Sequence, residues 1–384
     1  MVKTAVKQCV LVVALSLTML FLLANRRADV VRANYSNINV EAQDQGEKTS
    51  EQTFKNIQVL KGLPASQIES VMNLFVVSLG ARCETCHVRE GNNWSFEKDD
   101  KPAKKTAREM IQMVLNINKE SFGGRSQVTC NTCHRGQNHP VAIPTEAQIK
   151  ESKDRAATQQ GQTGAQESLP TVDQVVDRYI QGLGGKPAID ELKNRFSKGV
   201  YTTHRTDMPV EVYQVAPNKA ALIVTTPNGT ISQVFNGSTG WFINGKNAQE
   251  IKGTLLEDTK QHLEFFPYIN LKNQFQNLRV VRKDKIRDHD VYVVSGTAAD
   301  KRRMTFAFDI QSGLLLRVTA ITSTMMGNLP VMLDLDDYRE VDGVKIPFSR
   351  HSSELDGFNP VTLKLSEVKH KIAIDDSRFN PGNF

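Results

Sequence analysis

The sequence predicts an α+β chain with two domains, a small all-α domain followed by a larger, mainly antiparallel β domain. The chain has 384 residues, which is more than one ordinary hydrophobic core holds. Residues 51–140 show helical periodicity, whereas residues 171–384 change, after one helical stretch, to strand-like segments with regular turns. Residues 141–170 lack aromatic residues and are rich in Gln, Ala, Gly and Ser, which is typical of a flexible linker.

The N-terminal segment, residues 1–28, is predicted to be an export signal or an uncleaved membrane anchor. Two lysines precede an apolar run of 16 residues at 9–24, and two arginines follow it. The run is slightly longer than a usual secretory core and just shorter than a membrane span of roughly 20 residues. The mature chain is therefore expected in the periplasm or another extracytoplasmic compartment, attached to the inner membrane if the segment is retained.

The charge of the chain gives little support to nucleic-acid binding. The net charge is +6, and no dense stripe of Lys and Arg interleaved with aromatic residues occurs. Of the five cysteines, one lies in the leader and four lie in two five-residue stretches, "CETCH" at 83–87 and "CNTCH" at 130–134. No thiol remains for a separate disulfide framework, so both stretches need one explanation.

A first helix is predicted directly before the first cysteine pair. In "SQIESVMNLFVVSLG", residues 66–80, four apolar residues recur at helical spacing, and Gly80 provides a C-terminal stop. The predicted apolar face consists of Ile68, Met72, Phe75 and Leu79.

A second helix is predicted before the second pair. The stretch "DKPAKKTAREMIQMVLNINK", residues 100–119, has a proline suited to its first turn, and "FGGRSQ" ends it. Its predicted apolar face consists of Ala103, Ala107, Met110, Val114 and Ile117. The two halves thus repeat one plan, in which a Met-bearing helix and a Gly-containing turn precede Cys-x-x-Cys-His.

The C-terminal region reads as a series of hairpins. The stretches "FNGSTG", "INGK", "QSGL" and "VDGV" each place Gly after a turn-forming residue, as hairpin turns require. No cluster of nucleophile, base and orienting acid occurs in 171–384, so no catalytic residues are predicted.

A repeated Cys-x-x-Cys-His predicts two covalently bound haem c groups. The paired thiols form thioethers to the haem vinyl groups, and the adjacent imidazole becomes the fifth ligand of the iron. The residues that would hold the two haems are Cys83, Cys86, His87, Cys130, Cys133 and His134. Zinc is the main alternative, but 43 residues separate the two pairs, far more than in common zinc ribbons. A redox dithiol normally lies beside a βαβ unit, and none is visible here.

The sixth ligand is left open by the residues themselves. Met72 lies 11 residues before the first motif, and Met110 and Met113 lie 20 and 17 residues before the second. A Met on an apolar helix face is more often a gap filler than a ligand, although the repeated plan favours ligation. His139 is an alternative nitrogen ligand.

The stretch "AREMIQMVLNIN", followed by "VTCNTCHRG", resembles the tetrahaem cytochrome subunit of photosynthetic reaction centres, as does "MNLFVVSLGARCETCH". That family packs a helix with an axial Met against three of its haems. Over residues 55–140 the resemblance implies iron ligation by Met72 with His87 and by Met110 with His134. This chain has two motifs rather than four and a long extra domain. The implied protein is therefore a diheme electron carrier of the same superfamily.

The C-terminal region is similar, more weakly, to the outer-membrane lipoprotein-carrier fold. The similar stretches are "FNGSTGWFING", "FDIQSGLLLRV" and "DYREVDGVKIPF". The resemblance implies an open antiparallel half-barrel whose concave face is covered by helices and can shelter acyl chains.

The sequence therefore favours an extracytoplasmic electron-transfer protein that passes single electrons between redox partner proteins and is not an enzyme. The alternative is an envelope module that binds a lipid or another apolar ligand in the β domain, with the haem domain as redox reporter. A haem peroxidase is a weaker hypothesis, because it needs an open sixth position on one iron and an acid or base above it.

Overall fold

The computed structural model describes residues 48–91, 93–161, 168–203, 206–355 and 357–383. The predicted leader at 1–28 lies outside these residues. None of the helices in the described ranges combines the length and the apolar character needed to cross a membrane.

The N-terminal part consists of short helices around two longer ones, with a small hairpin between them. In chain order these elements are α1 (Ser50–Thr53), a 3-10 turn (Ala65–Gln67), α2 (Ile68–Leu79), α3 (Cys83–Cys86), β1 (Val88–Glu90), β2 (Asn93–Ser95), α4 (Pro102–Phe122) and α5 (Cys130–His134). Helices α2 and α4 end, as predicted, at glycines with a left-handed backbone, Gly80 and Gly123. The hairpin adds a short β element to a part that the sequence predicts to be all α.

The buried faces of α2 and α4 are not the predicted apolar faces. In α2 the buried residues are Val71, Leu74 and Ser78, whereas Met72 and Phe75 are only half-buried. The buried side of α2 packs against both α4 and the β domain, and these two contacts determine which residues of α2 are buried. The predicted face of α2 lies at the margin of this contact.

In α4 two polar side chains are buried because they bond to nearby backbone. The Lys104 amine donates to the carbonyl oxygens of Phe96 and Lys98 at 2.8 and 2.6 Å. The Asn118 side-chain oxygen accepts hydrogen bonds from two backbone N–H groups in the turn before the second motif. Hydrophobic periodicity cannot reveal such residues. Of the predicted face of α4 only Val114 is buried, and the other buried apolar residue is Ile111.

Part of the predicted linker is helical. Helix α6 spans Glu146–Gly161. The Thr145 hydroxyl accepts a hydrogen bond from the Gln148 backbone N–H at the start of this helix. Ion pairs at i and i+4 follow, Lys150 with Asp154 and Glu151 with Arg155, both at 2.6 Å. Local capping and charge pairing thus favour a helix where composition alone predicts flexible chain.

The β domain contains one large sheet and four helices. The helices are α7 (Val172–Leu183), α8 (Lys186–Glu191), α9 (Gly253–Leu263) and α10 (Leu271–Gln274). The strands are β3 (Asn194–Thr203), β4 (Thr206–Val215), β5 (Lys219–Thr226), β6 (Gly229–Asn236), β7 (Gly240–Asn244), β8 (Asn247–Ile251), β9 (Gln276–Ile286), β10 (His289–Thr297), β11 (Arg303–Asp309), β12 (Leu315–Thr324), β13 (Gly327–Val341), β14 (Val344–Glu354) and β15 (Phe358–His370). Two 3-10 turns follow, Asp376–Phe379 and Pro381–Asn383.

The sheet is antiparallel throughout and open. Its strand order is β8-β7-β6-β5-β4-β3-β15-β14-β13-β12-β11-β10-β9, so pairing of β15 with β3 joins two meanders. Register shifts in β9–β10, β11–β12, β14–β15 and β15–β3 increase the local bend of the strands. The main core lies where α7 and α8 pack on the sheet, around Tyr179, Phe306 and Ile346. The predicted α+β class with an open antiparallel sheet and covering helices is confirmed.

The β12–β13 hairpin joins the two parts of the chain. Its tip residue Met326 is fully buried, and Leu329 is nearly so, in one cluster with Val71 and Leu74 of α2. The Ser126 hydroxyl, in the turn before α5, donates to the Thr324 carbonyl oxygen at 3.0 Å. The tip of a β hairpin thus completes the core of the helical part.

Candidate haem-binding site

Each Cys-x-x-Cys-His motif folds as a single helical turn. In both motifs a Thr precedes the second cysteine, and its hydroxyl accepts a hydrogen bond from the backbone N–H just before the first cysteine. The distances are 3.3 Å for Thr85 and 3.0 Å for Thr132. A helical turn places residues i and i+3 on one side, so the paired thiols are neighbours. All four thiols in these turns are free.

One cysteine thiol of each motif, Cys86 and Cys130, is not activated as a nucleophile. Burial raises the pKa of Cys86 and of Cys130. A redox dithiol works through a cysteine whose pKa is lowered, because the thiolate is the attacking species. In each turn, burial thus opposes ionisation of one of the two thiols.

The motif histidines have different surroundings. The His134 Nδ1 lies 3.0 Å from the Gln137 carbonyl oxygen. With the proton on Nδ1 this is a hydrogen bond, and Nε2 keeps its lone pair for a metal, which is the usual arrangement of a ligating histidine. The His87 ring packs edge-on against Phe96 at 5.1 Å, and its Nδ1 is buried without a hydrogen-bond partner in the described part of the chain. Burial, together with the Lys104 charge, lowers the pKa of His87 and favours the neutral, ligating form.

The two halves pack crosswise. The first motif turn, α3, packs against α4, and the second motif turn, α5, packs against α2. The Gly136 backbone N–H, just after α5, donates to the Ser78 carbonyl oxygen of α2 at 2.9 Å. A Cβ added at Gly80 would overlap the Gly136 carbonyl oxygen. The first motif turn is thus positioned by the helix of the other half, and the second by that of the other half together with its own α4.

The predicted sixth ligands lie on the two long helices. Met72 is half-buried on α2, and Met110 and Met113 of α4 are 36% and 42% exposed. These sulfurs are therefore near the surface of the helical part, where a flat apolar group can cover them. His139 is exposed in the loop after the second motif.

The donor set of each motif is the one that covalent attachment of a c-type haem uses. Each motif offers two free thiols on a short helical turn with an imidazole directly after the second thiol.

Sequence reasoning missed two arginines of the β domain that line a cavity, Arg195 and Arg350. The alternation of buried residues along β14 indicates that Arg350 faces the interior. Along β14, Val344, Ile346 and Phe348 are buried at every second position, and continuing this alternation by one step reaches Arg350.

Comparison with known proteins identifies the N-terminal half. The family model described as photosynthetic reaction centre cytochrome C subunit matches residues 18–195. The photosynthetic reaction center cytochrome c subunit of Roseobacter denitrificans is 34% identical over 106 residues, covering 26% of this chain and 28% of that protein. Cytochrome c-554 of Chloroflexus aurantiacus is 36% identical over 86 residues, covering 21% of this chain and 20% of that protein. The chain thus spans less than a third of the length of these relatives.

Solved structures resemble the β domain. A LolA superfamily protein from Nitrosomonas europaea has a TM-score of 0.39 and 12% identity, covering 54% of this chain and 97% of that one. A putative outer membrane lipoprotein-sorting protein domain from Vibrio parahaemolyticus also has a TM-score of 0.39, with 13% identity, covering 49% of this chain and 89% of that one. The N-terminal part of this chain, which includes both Cys-x-x-Cys-His motifs, is related to the photosynthetic reaction centre cytochrome c subunits.

Proposed function

We propose that this protein is an extracytoplasmic diheme c-type cytochrome that passes single electrons between redox partner proteins. The observation that supports it best is the pair of helical turns, each with two free thiols and an adjacent histidine, in the region related to reaction centre cytochromes. We assign the haem-binding domain to residues 51–140, the linker to 141–170 and the β domain to 171–384. The leader at 1–28 exports the chain and, where it is not cleaved, anchors it to the inner membrane.

The first haem is held by α3 and the residue after it. The thiols of Cys83 and Cys86 form the two thioether bonds, and His87 is the fifth ligand. Phe96 packs on the His87 ring and limits its rotation. Met72 of α2 is the sixth ligand.

The second haem is held by α5. The thiols of Cys130 and Cys133 form its thioether bonds, and His134 is the fifth ligand. The Gln137 carbonyl oxygen fixes the orientation of the His134 ring through Nδ1. Met110 of α4 is the sixth ligand.

When bound, a haem supplies a one-electron redox couple, and the protein tunes that couple by ligation, burial and hydrogen bonding. The covalent bonds retain the group in a domain too small to enclose it. Ligation of each iron by one histidine and one methionine would leave no open position for peroxidase chemistry and would suit electron transfer. The packing of each motif turn on the long helix of the other half fixes the two motifs relative to each other.

The haem count tests this proposal directly. The full chain is expressed in a host that attaches haem c, and its intact mass is measured along with a haem stain after denaturing electrophoresis. We expect two haems in the wild type and one in each of two double variants, C83A/C86A and C130A/C133A. A wild-type protein that is purified colourless, or that contains zinc, would refute the proposal.

A further inference from the structure

A cavity opens between the large sheet, α7 and the segment 258–268. About 1400 Å³ of space lies within the cavity and its open mouth. Most of its wall is apolar or aromatic. Representative lining residues are Leu183, Leu222, Phe265, Phe266, Tyr338 and Leu363.

Arg195 lies in this apolar wall with its charge almost fully buried. Only 3% of the residue is exposed, and its guanidinium packs over the rings of Phe265 and Phe266 at 4.5 and 4.8 Å. It donates to the Phe265 carbonyl oxygen at 3.0 Å and to the His370 ring at 3.1 Å. Its Nη2 is buried and has no hydrogen-bond partner in the described structure.

Arg350 is a second positive charge in the same wall. It lines the cavity together with Tyr179, Tyr268 and Tyr338. Burial lowers the pKa of Arg350, and the three tyrosines oppose this shift. Its Nε is buried and unpartnered in the described part of the protein. Burial and then repulsion by Arg350 lower the pKa of Arg195 to about 9, so Arg195 stays charged at neutral pH.

The carboxylates near the cavity are already occupied. Asp258 lines the cavity, but its carboxylate binds the Arg302 guanidinium at 2.5 Å. Glu264 accepts a hydrogen bond from the Gln274 amide at 2.7 Å, and burial raises its pKa. Neither carboxylate bonds to Arg195 or Arg350. Asp342 reaches Arg195 only through the His370 ring, whose other nitrogen lies 3.0 Å from the Asp342 carboxylate. Lys345 also lines the cavity, so its wall has an excess of positive charge.

We propose that this cavity binds a single-chain amphiphile with an anionic headgroup. The carboxylate or phosphate headgroup lies against Arg195 and Arg350, and the hydrocarbon chain follows the apolar wall. Buried unpaired charges are costly, whereas charge-assisted hydrogen bonds to an anion are among the strongest in proteins. The inference makes the lipid-binding alternative specific, and it does not depend on the electron-transfer proposal.

Binding is tested on the full haem-loaded chain after bound lipid has been removed. Isothermal titration compares dodecanoate, dodecyl phosphate, dodecanol and inorganic phosphate below the micelle concentrations of the surfactants. We expect saturable, one-to-one binding of at least one of the two anionic surfactants, and binding at least tenfold weaker for dodecanol and for inorganic phosphate. Equal binding of an anionic surfactant and dodecanol would overturn the role of the arginines. If only inorganic phosphate binds tightly, the ligand is not an amphiphile. If none of the four compounds binds, the cavity is not a binding site for this class of ligand.

Two variants connect the binding to the cavity. Arg350→Gln is expected to weaken binding of the anionic surfactant about tenfold to a hundredfold and to leave dodecanol unchanged. Arg282→Gln, which removes a charge from a side chain that is 57% exposed, is the control and should bind like the wild type. Unchanged binding by Arg350→Gln would refute the site. If Arg350→Gln does not fold, as judged by circular dichroism, the ligand series on the wild type still decides.

Discussion

The two motif histidines, His134 and His87, differ in the surroundings of Nδ1, the ring nitrogen that would not bind the iron. A carbonyl oxygen faces the Nδ1 of His134, whereas the Nδ1 of His87 is buried beside Phe96 without a described partner. A hydrogen bond at this position raises the basicity of a ligating imidazole. The two proposed haems are therefore expected to differ in reduction potential even with the same ligand types.

Substitution of the α4 methionines tests the sixth ligand of the second haem. Met110→Ala should keep the haem attached, open its sixth position and lower its potential on the order of 0.1 V, because a thioether stabilises the reduced state. Redox titration and carbon monoxide binding measure both effects. Met113→Ala, the matched control one turn away, should leave both unchanged. The reverse result would make Met113 the ligand, and no change in either variant would direct attention to His139.

Glu354 gives the contact between the two parts a pH dependence. This carboxylate is 5% exposed, accepts a hydrogen bond from the Ser70 hydroxyl at 3.0 Å, and has one buried oxygen without a described partner. Burial, and the nearby Glu69 charge, raise its pKa. A raised folded-state pKa means that the native state binds the proton more tightly. The stability that Glu354 confers is therefore greatest when it is protonated, below its unfolded pKa, and declines as pH rises through the folded value.

The variant Glu354→Gln, which mimics the protonated side chain, should unfold at a higher temperature than the wild type at pH 8. The difference should shrink as the pH is lowered towards 5. Thermal unfolding followed by circular dichroism across this range measures it. A difference that is constant with pH would show that Glu354 has an ordinary pKa.

At the scale of elements, the crosswise packing depends on a close approach of two turns. The end of α2 at Gly80 meets the turn after α5 at Gly136, and the adjoining backbone is joined by the hydrogen bond to Ser78. The left-handed backbone and the close approach both require glycine at position 80.

Gly80→Ala and Gly123→Ala separate these two requirements. Both glycines follow a helix with nearly the same φ, 58° and 60°, but only a Cβ at Gly80 meets another atom. Gly123→Ala should cost about 1–2 kcal/mol of unfolding free energy from the strained backbone alone. Gly80→Ala should cost clearly more and disturb the second haem, as seen in denaturant unfolding and in the haem spectrum. Equal losses would mean that the turn moves aside freely.

The elements were predictable where local chemistry determines them. Helix ends at glycines, the hairpin turns of the β domain and the two motif turns follow from residues next to one another in sequence. The buried faces of α2 and α4 do not follow from such neighbours. In α4, Lys104 and Asn118 are buried through hydrogen bonds to backbone just outside the helix. In α2, the buried face is set by its contacts with α4 and the β domain. Arg350 of the cavity was not predicted because a charged side chain interrupts the apolar alternation of its strand, and the apolar residues alone do not show that the buried positions continue to it.

At the scale of the whole molecule, the β12–β13 hairpin links the stability of the helical part to that of the β domain through one shared hydrophobic cluster. Met326 is fully buried among α2 and α4 side chains, far in sequence from either helix. No local pattern in "TSTMMGNLP" identifies the surface that its two methionines cover, so this contact was beyond sequence reasoning.

Met326→Ala should lower the unfolding free energy of the helical part by about 2–5 kcal/mol, as for other fully buried methionines. Denaturant unfolding followed by haem absorbance measures this loss. Met325→Ala, whose side chain is only partly buried, should lower it less. A larger loss for Met325→Ala would contradict the burial order at the tip.

Because each motif turn rests on the helix of the opposite half, neither half is a finished module. In a lineage that deleted one helix–motif repeat, the remaining motif turn would lose the helix against which it packs. In a lineage that duplicated one repeat, the additional motif turn would have no such helix. Gain or loss of haem units in such a scaffold should therefore proceed by twos, which agrees with an even number of motifs in this chain.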